Sequence, residues 1–434
     1  MLAKDINDKL TQTAPGTGCG QLMRMYWQPI ALTDELNKNR PVVPVRIFSE
    51  DLVLFRSGDG ALGLMDRHCP HRQADLCYGR LENNGLRCPF HGWLFAADGT
   101  CLEQPGEQPA NNFERHFGQA SYPCVERNGI IFGYLGAGDP PPLPSIDCLD
   151  APDSHVFAFK GFLDCNYLQA VEVGIDPAHA SFLHRYLDDD DTDDSYGKQF
   201  RAGTGDEDIP LTWIMRNFPS PTIAVTRADF GLQIEARRHI SEAKDHVRVT
   251  NLLFPNAIVI PMSKTMVITQ WHVPVDDESC YWYAQFTSYD APVDKDLMRQ
   301  QRLELYELPE YKPRVGAFNQ WGYDPAEQEG VTYTGMGLDI NVHDQWAVES
   351  PGTITDRSRE NLVGSDVAIS RYRAMLLRSI DTATNDGDAS TLPIHRAETG
   401  QPLGPEWMDS IMPQGCDRDE WLDEYHQCRT KAKW

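Results

Sequence analysis

The feature that most constrains this 434-residue chain is a pair of short motifs, Cys69-Pro70-His71-Arg72 and Cys88-Pro89-Phe90-His91-Gly92-Trp93. They reduce to C-x-H, a gap of 16 residues, then C-x-x-H. Two thiols and two imidazoles at this spacing act together only if the two loops meet, so the chain between them must run out and back. The flanking segments have strand character: Val43–Phe48 and Leu52–Phe55 around a polar turn, then Gly60–Met65 and Ile130–Leu135. Turn signals recur at Ser57-Gly58-Asp59-Gly60, Asn83-Asn84-Gly85, Asp98-Gly99 and Asn128-Gly129. Such punctuation predicts a small all-β domain with each motif at a hairpin tip. The quartet can hold one metal ion or one cluster. A structural zinc also takes two Cys and two His. A 2Fe–2S centre with two Cys on one iron and two His on the other is the alternative; imidazole in place of thiolate raises its potential to about −150 to +300 mV. Cys77, Cys101 and Cys124 read as small buried hydrophobes of the same domain.

A chain of this length exceeds what one core usually supports. The Pro- and Gly-rich stretch from Gly136 to Pro144 marks a boundary. The expected organisation is a helical lead-in over 1–40, a β domain over 41–150 and a larger domain over 151–434. In the lead-in, 8–27 has helical spacing. In the larger domain helices are expected over Asp164–Leu183, Asp294–Leu308, Asp366–Ile380 and around Val342–Ser350. Strands are expected at Leu211–Met215, Thr222–Thr226, Leu232–Ala236, Val247–Leu253, Ala257–Pro261, Thr265–His272 and Tyr281–Thr287. This pattern is α+β with an antiparallel sheet. The acidic run Asp188–Asp194 reads as a solvated loop, or as a lid because it follows closely on the motif described next.

Asp176-Pro177-Ala178-His179-Ala180-Ser181-Phe182-Leu183-His184 carries two histidines five residues apart. On a regular helix such residues point about 140° apart, so both face one metal only at a distortion or a helix end. Two imidazoles with one carboxylate form the facial triad of non-haem Fe(II) oxygenases. Spacing alone leaves Asp339, Asp344 and Glu349 as equal candidates for the carboxylate. Asp176-Pro177 also reads as a helix start, with Asp as cap and Pro in the first turn.

Taken together and in this order, the two constellations resemble the Rieske-type ring-hydroxylating oxygenase α-subunits over almost the whole chain. Val173–His184, Tyr333–Gly337, Ala347–Ser358, the Trp27-Gln28-Pro29 lead-in and Cys101-Leu102-Glu103-Gln104-Pro105-Gly106 are especially similar to the phthalate 4,5-dioxygenase branch. The resemblance implies a helix-grip catalytic domain. It implies a Rieske 2Fe–2S cluster on Cys69, His71, Cys88 and His91, and a mononuclear Fe(II) on His179, His184 and Asp344. It implies that Asp176 bridges His179 to His91 of the partner subunit, and hence a trimer or stacked trimers. Glu172 departs from the naphthalene-type members, many of which carry Asn in the corresponding place, so no role is carried over to it.

No flavin or nicotinamide motif is visible, so electrons must come from a separate NAD(P)H-dependent reductase. The implied reaction is cis-dihydroxylation of a phthalate-like aromatic carboxylate with O2. The alternatives are a monooxygenase such as a demethylase, an electron-transfer protein, and a zinc-stabilised binding module. A substrate carboxylate calls for Arg or Lys: Arg216 and Arg248 come first, then Arg227, Arg238 and Lys264, with Ser181 as a further contact. A net charge of −25 argues against nucleic acid. No long apolar run or leader pattern is present, and the 11 cysteines fit free thiols and metal ligands. A cytoplasmic, non-membrane protein is expected.

Overall fold

The computed structural model describes residues 1–108, 116–187, 203–204, 209–385, 389–395, 404–432 and 434. The acidic run Asp188–Asp194 lies outside them. The chain divides into two compact units, one of residues 12–143 with 273–277, the other of residues 1–11, 144–272 and 278–434.

The first unit is built of short antiparallel strands. Val42–Ile47, Glu50–Arg56, Leu62–Asp66 and Ser121–Tyr122 form one sheet. Arg80–Glu82, Gly85–Arg87, Leu94–Phe95 and Cys101–Glu103 form a second. Gln28–Leu32, Ile130–Gly133 and Cys124–Arg127 form a third. Val53, Phe55, Met65, Leu76, Leu86 and Phe95 make a core that also encloses Cys69, Cys88 and Cys101, with Cys77 packed against it. Cys124, expected to be buried, is partly exposed.

In the second unit the described residues include an eight-stranded antiparallel sheet. Its order is Val156–Leu163, Cys280–Ser288, Met266–Pro274, Ala257–Pro261, Lys244–Leu253, Gly231–Ser241, Thr222–Ala228. Met408–Pro413 pairs with the first half of Lys244–Leu253, where Ala257–Pro261 has already turned away. The long strands are rich in Val, Ile, Phe and Tyr, as half-buried pleated surfaces favour. Helices Tyr167–Gly174, Ile340–Glu349 and Val367–Thr384 belong to this unit.

Several local expectations are corrected. Leu211–Met215 is the body of a helix, Leu211–Asn217, not a strand. It buries Leu211, Thr212, Ile214 and Met215, a helical spacing that so short a segment cannot reveal. Arg216 therefore sits on a helix and not on the sheet. The expected helix over Asp164–Leu183 is two, Tyr167–Gly174 and Ala180–Leu183, because Pro177 interrupts it. The helical stretch over 8–27 is likewise split into Lys4–Thr11 and Gly18–Arg24. Gly16 takes φ +86° between them and Thr17 caps the second helix by accepting from the Gly20 N–H. Lys4–Thr11 belongs to the second unit and Gly18–Arg24 to the first.

Candidate active site

In the first unit the two motif loops are closed by their own backbones. Gln73 N–H donates to the Cys69 carbonyl, and Cys69 N–H to that of Ala74. Gly92 N–H donates to the Cys88 carbonyl, and Cys88 N–H to that of Trp93. Gly92 takes φ +77°, where a side chain would be strained and its Cβ would stand 3.2 Å from Pro105. Both thiols are buried while both imidazoles are exposed. Burial, with Cys88 alongside, pushes the Cys69 thiol up to about 11. The His71 and His91 rings lie 4.4 Å apart, and Trp93 stacks on His71 at 4.7 Å. Two thiols pointing inward and two imidazoles outward is a donor set divided by softness. It suits a cluster whose two irons have different ligands.

In the second unit, His179 and His184 flank the single turn Ala180–Leu183. His184 leaves helical geometry at φ −102°, ψ 24°. That departure is how a five-residue spacing closes: the two Nε2 atoms lie 3.2 Å apart. Asp344, on helix Ile340–Glu349, brings Oδ1 to 3.3 Å from His184 Nε2 and 3.7 Å from His179 Nε2. Among the described residues this is the group of metal-ligating side chains whose ligand atoms converge, all within 4.8 Å. Bonds of about 2.1 Å at right angles place neighbouring ligand atoms about 3 Å apart. The donors therefore fit a metal ion. Asp344 Oδ1 has no hydrogen-bond partner although it is buried, as expected of an atom meant for one. Burial lowers the pKa of His179, and neighbouring His184 lowers it further. For Asp344 burial acts upward, but His184 and His179 outweigh it and hold the carboxyl down. His179 Nδ1–H donates to the Asp176 carbonyl at 2.5 Å, which turns Nε2 toward the other donors.

The other carboxylates are engaged elsewhere. Asp339 caps the helix by accepting from Asn341 N–H and pairs with Arg302 at 2.5 Å. Glu349 accepts from Trp321 Nε1 at 2.9 Å and from Asp164 N–H at 3.1 Å. Asp176 Oδ1 accepts from Ala178 N–H at 2.8 Å, and its Oδ2 stands 4.0 Å from His179 Nδ1.

The triad forms part of the wall of a cavity of about 120 Å³, lined mainly by apolar side chains such as Leu163, Val173, Ile260, Met262 and Trp282. Of the expected substrate residues, Arg248 reaches this wall. It is anchored from behind by Asp409 at 2.7 Å and the Pro261 carbonyl at 2.7 Å. Arg216 donates to the Tyr186 carbonyl, and Ser181 accepts from Arg238; neither is among the lining residues. Arg238 also donates to the Pro177 carbonyl, so it braces the histidine turn. Arg227 is exposed on its strand and Lys264 pairs with Glu424 at 2.8 Å. Sequence reasoning missed His272 and Gln270, which line the cavity from the strand Met266–Pro274. The available signal was two polar residues in alternation with apolar ones in an otherwise buried strand.

Comparison with known proteins agrees with both units. Residues 26–120 match the Rieske [2Fe-2S] domain, and residues 133–417 match the family described as LigXa C-terminal domain like. The phthalate 4,5-dioxygenase oxygenase subunit of Pseudomonas putida is 31% identical over 392 residues, covering 88% of this chain and 86% of that protein. The 5,5'-dehydrodivanillate O-demethylase oxygenase subunit of a Sphingobium species is 31% identical over 405 residues, covering 90% and 84%. The crystal structure of dicamba monooxygenase bound to dicamba superposes with a TM-score of 0.56 at 20% identity, over 83% of this chain and 98% of that one, a likeness of fold. The chain belongs to the Rieske non-haem iron oxygenases, whose oxygenase component carries a 2Fe–2S cluster and a mononuclear iron.

Proposed function

We propose that this chain cis-dihydroxylates a one-ring aromatic carboxylate, using O2 and electrons from a separate NAD(P)H-dependent reductase. The observation that carries the reading is the cavity. It is apolar, it has His179, His184 and Asp344 in its wall, and it offers the Arg248 guanidinium. Its volume of about 120 Å³ approaches that of an engineered cavity of about 150 Å³ that binds benzene.

In this reading Cys69 and Cys88 hold one iron of the cluster and His71 and His91 the other, while His179, His184 and Asp344 hold the mononuclear Fe(II). That iron, when bound, supplies the activation of O2. The remaining work falls to the chain. The apolar wall excludes water and presses the ring against the triad. Arg248 has five N–H donors; Asp409 and Pro261 engage its two terminal nitrogens from behind, and further donors remain for a substrate carboxylate. Asp176 keeps Oδ2 for His91 of the partner subunit, so that electrons cross between copies in a trimer or stacked trimers. The odd number of cysteines and their free thiols support a reducing, cytoplasmic setting. Among the described residues no helix is long and apolar enough to cross a membrane.

A monooxygenase reading is favoured by one observation: an O-demethylase oxygenase subunit is as similar to this chain as the dioxygenase. Turnover of benzene carboxylates with a surrogate reductase under 18O2 separates the two. Two labelled oxygens in a ring diol support dioxygenation. One label with loss of an alkyl group moves the reaction to demethylation, and no turnover of any aromatic acid removes the substrate class.

A further inference from the structure

Among the described residues, His272 is the one cavity-lining histidine outside the triad. Its backbone is clamped on both sides by Asn256: His272 N–H donates to the Asn256 carbonyl at 2.9 Å, and Asn256 Nδ2 donates to the His272 carbonyl at 2.8 Å. The strand carrying it presents Ile268, Gln270 and His272 to the cavity by simple alternation. The residue is only 5% exposed, yet neither ring nitrogen has a hydrogen-bond partner. A buried polar group without a partner is destabilising, so an imidazole with both nitrogens unengaged, in the wall of a cavity, points to a ligand. It is not a fourth member of the converging ligand group around Asp344. Burial holds the ring neutral, with its pKa down at about 4, despite an upward pull from Asp344. A neutral imidazole offers one N–H donor and one acceptor. It complements a hydroxyl or an ether oxygen and gives no counter-charge to a second carboxylate. Arg248, by contrast, carries charge on the adjoining wall, from Lys244–Leu253.

We propose that His272 is a specificity-determining residue: it hydrogen-bonds an uncharged oxygen substituent of the ring, so the cavity selects hydroxy- or alkoxy-benzoates over plain benzoates and dicarboxylates. This rests on the reading that the cavity holds an aromatic carboxylate. A site built to bond a substrate oxygen rejects analogues lacking it, because its own polar group is then left unpaired.

The test is calorimetric binding of benzoate, phthalate, and the 2-, 3- and 4-hydroxy- and methoxybenzoates to the holoprotein. Wild type is compared with His272→Leu and His272→Gln, each checked for an unchanged cluster EPR signal. In wild type at least one oxygen-bearing benzoate should bind about tenfold or more tighter than benzoate and phthalate. His272→Leu should abolish that ratio with benzoate affinity nearly unchanged, and His272→Gln should restore part of it. A structural role would weaken all ligands alike and leave the ratio in place. The same preference in His272→Leu as in wild type, or no preference in wild type, overturns the inference while the carboxylate reading stands. If no benzene carboxylate binds wild type, the carboxylate reading falls and takes the inference with it.

Discussion

Asp176 divides its carboxylate: Oδ1 accepts from Ala178 N–H in the turn ahead of His179, which is itself the N-cap residue of Ala180–Leu183, so the expected Asp cap is not formed; Oδ2 stands too far from His179 Nδ1 for a hydrogen bond. A turn acceptor alone tolerates Asn, whose side-chain oxygen makes the same bond. A bridge to His91 of the partner subunit does not, because an amide turns an NH2 toward an N–H donor. Asp176→Asn should assemble and bind both metals, yet cluster reoxidation after mixing the reduced protein with substrate and O2 should slow by orders of magnitude. A wild-type rate would leave Asp176 with its turn bond alone. Arg248 carries a separate expectation. Losing one charge-assisted hydrogen bond costs about 1.5–3 kcal/mol, so Arg248→Met should raise KM for an aromatic carboxylate roughly ten- to a hundredfold. An unchanged KM would place the carboxylate elsewhere. At this scale spacing exposed the candidates but could not rank them; only the family resemblance pointed to Asp344. Asp339, Asp344 and Glu349 are alike in spacing. They part only through tertiary neighbours: Arg302 for Asp339, Trp321 for Glu349, and the two histidines for Asp344.

Helix Tyr167–Gly174 leads directly into the histidine turn, and its position depends on Glu172. That carboxylate is buried between Arg357 at 2.8 Å and Arg373 at 2.6 Å, and Arg357 also holds Asn7 of the first helix. Arg373 is further tied to Glu360 at 2.5 Å. Glu172 thus ties this helix to Arg357 and Arg373, a role to which nothing in the sequence pointed. Removing one member of a buried ionic group leaves its partners uncompensated, at a cost of about 3–5 kcal/mol. Glu172→Ala should lower the urea midpoint and loosen binding of the mononuclear metal while the cluster's visible spectrum stays intact. An unchanged midpoint would show the network to be dispensable. Strands such as Ala257–Pro261 and Tyr281–Thr287 were legible because β-branched and aromatic residues crowd them. Leu211–Met215 differs from its expected strand because so short a segment suits either period, and the edge strand Val156–Leu163 is not marked out in the sequence despite its aromatic content.

At the level of the whole molecule, the two donor sets lie in two different units of the chain. The pairing of a C-x-H…C-x-x-H motif with a D-x-x-H-x-x-x-x-H motif was the most informative thing in the sequence, because each set alone admits a simpler reading. A cluster without a second metal would make an electron carrier, and a lone triad would not explain the cluster. In the proposed arrangement one chain holds both, with Asp344 as the anionic ligand of the second. Metal analysis of wild type and Asp344→Ala, read beside the EPR signal of the reduced cluster, is the decisive measurement. Wild type should hold about three irons and two acid-labile sulfides per chain. Asp344→Ala should hold about two irons and the same sulfide, keep the cluster signal and form no product. Two irons in wild type, or a variant that retains the third iron, would contradict the assignment.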